Sequence, residues 1–172
     1  GESVLVNGTS GAMMDVERRT YRFRILNGSN ARIYNFALSD GIKFKLIGSD
    51  GGLLDAPVDI SNILLAPGER ADVLINFGSM PLSTELFMES ALFSGSSSQG
   101  NQSFKVMKFK IIKDATDNFI VPSTLMVVEK ISESSSVASR RFNIGHMMVH
   151  GGMEGVMHPI DGKTFDANRR DE

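Results

Sequence analysis

Apolar and polar residues alternate with a period of two along much of this chain, and that pattern restricts the fold to β-strands. In the segment 20–26, aromatic or aliphatic residues at every second position face one side of the predicted strand, while Arg22 and Arg24 face the other. Such alternation is typical of a strand with one buried face. No segment of useful length shows the 3.6-residue period of an amphipathic helix.

The same pattern predicts six further short strands. They cover residues 34–38, 42–46, 60–65, 71–77, 84–89 and 104–112. Turn-forming residues separate several of them: Asn27-Gly28-Ser29-Asn30, Ser39-Asp40-Gly41, Asp50-Gly51-Gly52 and Ala66-Pro67-Gly68-Glu69. In the last strand the apolar parity changes between Val106 and Met107, as a β-bulge requires. Short strands at this spacing predict an all-β fold, a Greek-key β-sandwich or barrel.

The composition of the C-terminal part predicts a division of the chain. A serine-rich run at residues 132–139 indicates a linker, and a Gly/Ser-rich stretch at 94–103 indicates a mobile loop within the main domain. Beyond the linker, residues 141–144 suggest one strand, but the tail has too little apolar sequence for its own core. We therefore expect one β-domain over residues 1–131 and a linker with a first strand region over residues 132–172.

Several kinds of chemistry are excluded by residues that the sequence lacks. The chain of 172 residues has no cysteine and only three histidines. Disulfides, thiolate nucleophiles, iron–sulfur ligation and thiolate zinc sites are therefore ruled out. A blue copper centre is also ruled out, because it requires a cysteine thiolate with two histidines. A hydrolase is not expected either, since no nucleophile with a base and an orienting partner is evident.

Charge and hydropathy limit the partners. The net charge is -2 and basic residues are spread along the chain, so no nucleic-acid partner is expected. No apolar run approaches the roughly 18 residues that a membrane span needs, and no export signal is evident. The compartment stays open between extracytoplasmic and cytoplasmic.

The charged and glycine-containing turns are interpreted as structural. Asp50-Gly51-Gly52 is a tight turn rather than a phosphate-binding loop, since no helix follows it. Glu69-Arg70, beside a Pro-Gly turn, is expected to tie two loops together through charge-assisted hydrogen bonds. The Asn-Gly pairs at Asn7 and Asn27 are expected to be turns, although Asn7, Asn27 and Asn101 each begin an N-glycosylation triplet. We expect five basic residues to lie on solvated faces or to contact a neighbouring domain: Arg22, Arg24, Arg32, Lys43 and Lys45.

Three segments in order carry a family resemblance: VLVNG near the start, YRFRILNGSNARIYNFALSDGIKFKLIGSDGGLL, and LLAPGERADVLINF. Together they resemble the second, cupredoxin-like domain of multicopper oxidases of the laccase or cuprous-oxidase type. The tail, with FNI and HPIDGKTFDANR, is similar to the opening strand of the third domain of that family.

The resemblance implies a longer parent enzyme that oxidises its substrate by single electrons and reduces dioxygen to water at four coppers. In that family the His-X-His and His-Cys-His ligand motifs lie in the first and third domains. None of these motifs occurs here, so the resemblance assigns no copper ligand, catalytic residue or cofactor-binding residue to this chain. Its expected partners are the neighbouring cupredoxin domains of the same polypeptide.

One cluster near the C-terminus leaves two interpretations open. It comprises His146, Met147, Met148, His150, Met153, Met157 and His158. Thioether and imidazole groups suit the soft cuprous ion, and some members of the family carry methionine-rich segments near this point. Methionine is also common in adaptable apolar packing, which is the preferred interpretation, and no metal ligand is assigned.

Two functions from different classes follow. The first is a non-catalytic middle domain that links and orients the copper-bearing domains of a multicopper oxidase. The alternative is a free-standing β-sandwich that binds protein or carbohydrate, since this architecture serves many unrelated roles. The adjoining coding sequence discriminates them, because only the first hypothesis requires His-X-His pairs upstream and His-Cys-His downstream.

Overall fold

A computed structural model describes residues 3–94, 101–145, 147–149, 155–164, 166 and 168. The chain divides into two units, Gly1–Val128 and Glu129–Glu172. The described residues include no helix long and apolar enough to cross a membrane.

The first unit is built from β-strands arranged in two main sheets. The strands are β1 (Leu5–Val6), β2 (Thr9–Ser10), β3 (Met13–Arg18), β4 (Thr20–Leu26), β5 (Tyr34–Leu38), β6 (Phe44–Ser49), β7 (Gly52–Ile60), β8 (Asn62–Leu65), β9 (Arg70–Asn76), β10 (Glu85–Ser90) and β11 (Phe104–Asp114). One sheet has the order β3-β11-β10-β5-β8 and the other β4-β9-β6-β7. Neighbours in both sheets are antiparallel except β3 and β11, which are parallel.

The two sheets enclose one apolar core, to which both contribute. Its buried members are Val16, Phe36, Leu38, Phe44, Leu65, Ala71, Val73, Ile75, Phe77, Leu86, Met88, Val106, Phe109 and Ile111. Phe109 lies at its centre, fully buried, with its ring 5.4 Å from Phe23 and 5.3 Å from Phe77 between centroids. Two sheets with a shared core form a β-sandwich, and the predicted all-β, cupredoxin-like fold class is confirmed.

The predicted strands correspond closely to the observed ones. β4 and β5 have the predicted bounds, and the predicted bulge is confirmed because the register passes from Met88–Met107 to Glu89–Lys105, leaving out Val106. The strand predicted over residues 60–65 is instead the end of β7 followed by β8, with a break at Ser61. The edge strands β3 and β7 were not predicted.

The two Asn-Gly pairs differ in conformation. Asn7 and Gly8 have φ of 50° and 80° and join β1 to β2 in a two-residue hairpin turn, which is the geometry that Asn-Gly favours. No residue of 27–30 has positive φ, and the segment separates β4 from β5 as predicted. It carries the chain from the four-stranded sheet to the five-stranded sheet.

A segment without regular structure, residues 115–128, follows β11 and is called the strap below. Asp117 accepts a hydrogen bond from the backbone N–H of Thr20 on β4, and Leu125 donates its N–H to the carbonyl of Asp55 on β7. Because β4 and β7 are the two edges of one sheet, the strap crosses that sheet. Ile47 and Leu74, which are buried outside the core cluster, lie in strands between these two edges.

The second unit has little regular structure among its described residues. A short 3-10 turn occurs at Glu133–Ser135, and the strands β12 (Met147–Val149) and β13 (Gly155–Met157) pair as an antiparallel hairpin. The strand predicted at 141–144 was wrong, because only Ile144 forms an isolated bridge, with Ile160.

Candidate functional site

A charged clamp ties the β6–β7 turn to the start of β9. Arg70 donates from Nε to Asp50 Oδ1 at 2.8 Å, and its backbone N–H donates to Asp50 Oδ2 at 3.3 Å. These two bonds hold the pKa of Asp50 below its ordinary value. Glu69 Oε2 accepts the N–H of Ala66 at 2.6 Å, which closes the adjacent turn. The structural roles expected for Glu69, Arg70 and the Asp50 turn are thus observed.

The outer face of the four-stranded sheet carries paired charges. Asp72 lies between Arg22, which bonds to it directly, and Arg24, whose Nε is 3.5 Å from Oδ1. On the same sheet Lys45 Nζ is 2.7 Å from Asp59 Oδ1. These pairs are partly exposed, so each one contributes little to stability in water. They form the solvated faces that the sequence predicted.

Arg32 was predicted to behave like these basic residues, but it makes its contacts elsewhere, near the start of β11. Its Nη1 donates to Gln102 Oε1 at 2.6 Å, and its guanidinium lies 5.4 Å from the centroid of the Phe104 ring. Asn101, which begins the third glycosylation triplet, accepts the N–H of Phe93 at 2.9 Å through its side-chain oxygen. The Arg32 contacts join the loop between β4 and β5 to the start of β11, and the Asn101 bond joins the residues after β10 to those before β11.

Asn27 joins three parts of the chain at the end of β4. Its amide group donates to the carbonyls of Arg32 and Leu65 at 2.7 and 2.8 Å, and its oxygen accepts from the N–H and hydroxyl of Ser29. Its backbone exchanges bonds with Glu69 and Gly68. The side chain is 2% exposed, so every polar atom of a buried amide is used. Asn27 is therefore a structural junction and not a glycosylation acceptor in the folded chain.

A second charged cluster lies where β3 runs parallel to β11. Arg18 and Asp114 form an ion pair at 2.7 Å, and Lys113 and Glu17 form another at 2.8 Å. The Lys113 ammonium lowers the pKa of Glu17, although partial burial opposes the change. These pairs fasten the first strand of the five-stranded sheet, in chain order, to its last strand.

The strap presents an exposed apolar surface. Five of its large side chains are at least 45% exposed: Phe119, Ile120, Met126, Val127 and Val128. Its anchor, Asp117, accepts the N–H groups of Thr20 and Phe119, which lower the pKa of this carboxyl. A run of apolar residues on an anchored, irregular segment is typical of a surface that another domain covers.

A cavity of about 590 Å³ opens at one end of the sandwich. It is lined by β1 and its flanking residues, by the second half of β4 with the residues after it, and by residues of β3, β5, β10 and β11. Its lining residues include Met14, Met88 and Met107 and the aromatic residues Phe23, Tyr34 and Phe36. Neither this cavity nor the strap was predicted from the sequence.

The histidine- and methionine-rich segment is described only in part. His146, His150 and Met153 lie outside the described residues, whereas His158 is exposed. Within the described ranges, no three His, Cys, Asp or Glu side chains are grouped in a way that could hold a metal ion. The choice between cuprous-ion docking and packing by this segment stays a hypothesis.

Comparison with known proteins gives consistent matches. A family model described as Multicopper oxidase matches residues 1–114. The chain is similar to Multicopper oxidase LPR2 of Arabidopsis thaliana, with 37% identity over 143 residues, 81% of this chain and 25% of the relative. It is also similar to Laccase of Bacillus subtilis (strain 168), with 40% identity over 113 residues, 66% of this chain and 22% of the relative.

Among solved structures, the chain is similar to the McoA multicopper oxidase from the hyperthermophile Aquifex aeolicus. The TM-score is 0.82 at 36% sequence identity, and the match covers 95% of this chain and 34% of that chain. The chain thus spans about a quarter of the length of the curated relatives and about a third of the solved structure.

Proposed function

Since this chain belongs to the multicopper oxidase family, we propose that it is a non-catalytic domain that links and orients copper-bearing domains of a longer oxidase. The longer protein would be a copper-dependent oxidoreductase that reduces dioxygen to water. The observation that carries this proposal is the absence of cysteine from a β-sandwich sequence of this family. A blue copper centre needs a cysteine thiolate, so the residues of this chain do not fit one.

The exposed strap supports a linking role. Ile120 and Val127 are both more than 80% exposed. Covering such apolar side chains with another domain removes them from water, which lowers the free energy. Interfaces between domains of one chain resemble protein–protein interfaces, with apolar patches rimmed by polar groups. We infer that the strap is one contact surface for a neighbouring cupredoxin domain.

The second unit fits the same proposal. The exposed residues 132–139 would be the linker, and the residues after them would form the start of the following cupredoxin domain. In this arrangement β12, β13 and the Ile144–Ile160 bridge would be completed by strands of that domain. No observation favours the alternative of a free-standing protein- or carbohydrate-binding module.

The test compares the 172-residue chain with the longer protein from its own coding sequence. Copper content, blue absorbance and oxygen uptake are measured for both after copper loading. We expect copper, blue colour and oxygen uptake in the longer protein alone. Oxygen uptake with stoichiometric copper in the isolated chain would contradict the proposal.

A pair of substitutions tests the strap separately. In the longer protein, Val127→Asp should lower the melting temperature and oxygen uptake, because it places a charge in the covered surface. Leu82→Asp is the matched control, since Leu82 is an exposed apolar residue outside the strap. Neither change should alter the melting of the isolated chain. Equal behaviour of the two longer variants would mean that another surface makes the contact.

A further inference from the structure

Three methionines lie on the inner face of one sheet beside the open cavity. Met88 on β10 and Met107 on β11 are register partners, and Met14 on β3 is the partner of Phe109, which follows Met107 by two residues. Directly opposed residues have Cβ atoms roughly 4.5–5.5 Å apart, and diagonal neighbours about 7–8 Å, within reach of long side chains. The strand register therefore brings three thioethers to one wall.

The chemistry of the cavity selects a particular class of ligand. No carboxylate, histidine or cysteine is among its described lining residues, so hard cations that need oxygen ligands are disfavoured. Thioethers are soft ligands that favour cuprous ion, and the aromatic residues Phe23, Tyr34 and Phe36 also line the cavity. Arg24 lines the rim, but its side chain is 79% exposed and pairs with Asp72.

Access to the three thioethers differs from that in an ordinary packed core. Met88 is 5% exposed, whereas Met14 and Met107 are only half-buried and border the open space. Methionine has three rotatable side-chain bonds and adapts readily to its surroundings. The half-buried pair lines the cavity and also packs against the core cluster.

From this placement we propose that the cavity binds one soft monovalent cation, Cu⁺ or its redox-inert analogue Ag⁺, through Met14, Met88 and Met107. The site carries no negative charge of its own, and this favours a monovalent ion over a divalent one because the cost of burying charge is smaller. The proposed site uses none of the methionines of residues 146–158. It also does not depend on the linking role, since a domain can orient its neighbours whether or not this cavity is filled.

The probe is Ag⁺, added as nitrate to chain carrying methionine labelled in the ε-methyl group. Met147, Met148, Met153 and Met157 are replaced by leucine, so that the C-terminal segment cannot supply thioethers. We expect the methyl signals of Met14, Met88 and Met107 to shift together and to saturate near one equivalent. The signals of Met13, Met80 and Met126 serve as internal controls and should stay in place.

Substitution completes the test. Met88→Leu with Met107→Leu conserves volume and is tolerated by most cores, so this variant should fold and bind Ag⁺ about 10-fold or more weakly. Met13→Leu, on the exposed side of β3, should bind as the parent does. If the double variant does not fold, Met14→Leu alone replaces it. Undiminished affinity in the leucine variant, or methyl shifts confined to the control methionines, would overturn the proposal.

Discussion

Arg70 holds both carboxylate oxygens of Asp50, one through its guanidinium and one through its backbone N–H, and thereby ties the β6–β7 turn to the start of β9. The pKa of Asp50 is lowered by these bonds. The unfolded chain therefore binds the Asp50 proton more tightly than the folded chain does. The stabilisation is complete above the ordinary pKa and is lost as the pH falls through the lowered value.

Removing this carboxylate should flatten the acid limb of the stability curve. For Asp50→Asn we expect a smaller fall in melting temperature between about pH 6 and pH 2 than for the parent. Melting is followed by circular dichroism at each pH. Asp40→Asn is the control, since Asp40 is exposed and has no described hydrogen bond or ion pair. A parallel acid limb in Asp50→Asn and the parent would disprove the coupling.

Asn27 should be among the most sensitive polar positions. Asn27→Ala removes four side-chain hydrogen bonds and leaves the buried carbonyl of Leu65 without its donor. We expect the free energy of unfolding to fall by roughly 2–4 kcal/mol, given about 1–3 kcal/mol for each orphaned group. Denaturant unfolding measures the change. Asn30→Ala, nearby but exposed, should stay within about 0.5 kcal/mol of the parent.

The aromatic centre of the core makes a different prediction. Phe109→Ala should lower the free energy of unfolding by about 3–5 kcal/mol, because it leaves a cavity between Phe23 and Phe77. Phe119→Ala on the strap is the control, since its ring is half exposed. If both variants unfold at the same denaturant concentration, Phe109 is not at the centre of the core.

Gly48 lies where two backbones approach closely. A Cβ at this position would be 2.9 Å from the carbonyl oxygen of Gly52 and 3.2 Å from the Cβ of Asp72. Gly48→Ala should therefore cost about 1–3 kcal/mol through overpacking. Gly51→Ala is the matched control in the adjacent turn, because a Cβ there meets nothing within 4 Å. Chemical denaturation of the two variants side by side would show the difference, and equal midpoints would contradict it.

The strap should loosen when its first anchor is removed. In Asp117→Ala, the amides of Thr20 and Phe119 lose their acceptor, and their hydrogen exchange should accelerate. The amide of Leu125, held by Asp55 at the other edge, reports whether the whole strap is released. Asp114→Ala provides a control that removes a nearby carboxylate without touching those amides. Unchanged exchange at Thr20 and Phe119 would show that Asp117 does not fix the strap.

Sequence patterns captured the regularly alternating strands well, the edge strand β4 among them, and captured the edge strands β3 and β7 poorly. β4 alternates without interruption, because one face covers the core and the other faces water. β7 contains Asp55 and Pro57, which interrupt the pattern and are tolerated because β7 is an edge strand. β3 has the mixed sequence MMDVER and depends on a parallel partner far along the chain.

The functional surfaces were harder to predict for a physical reason. The strap is held by backbone groups and one carboxylate, which leave no periodic signal. The cavity depends on the register between β10 and β11 and on the bulge at Val106. The change of apolar parity in the sequence indicated this bulge, but it could not show that Met14 of β3 lies nearby. Arg70 was expected to link two loops, but its partner, Asp50, could be identified only from the fold.

The parallel pairing of β3 with β11 has a consequence for how the chain is made. Met13 on β3 pairs with Lys108 on β11. During synthesis, β3 therefore leaves the ribosome long before its partner strand β11 does. Closing so distant a pair is slow, since contacts remote in sequence must overcome a large loop entropy. Until β11 has been synthesised, β3 therefore has no parallel partner and is open to chaperones or proteases.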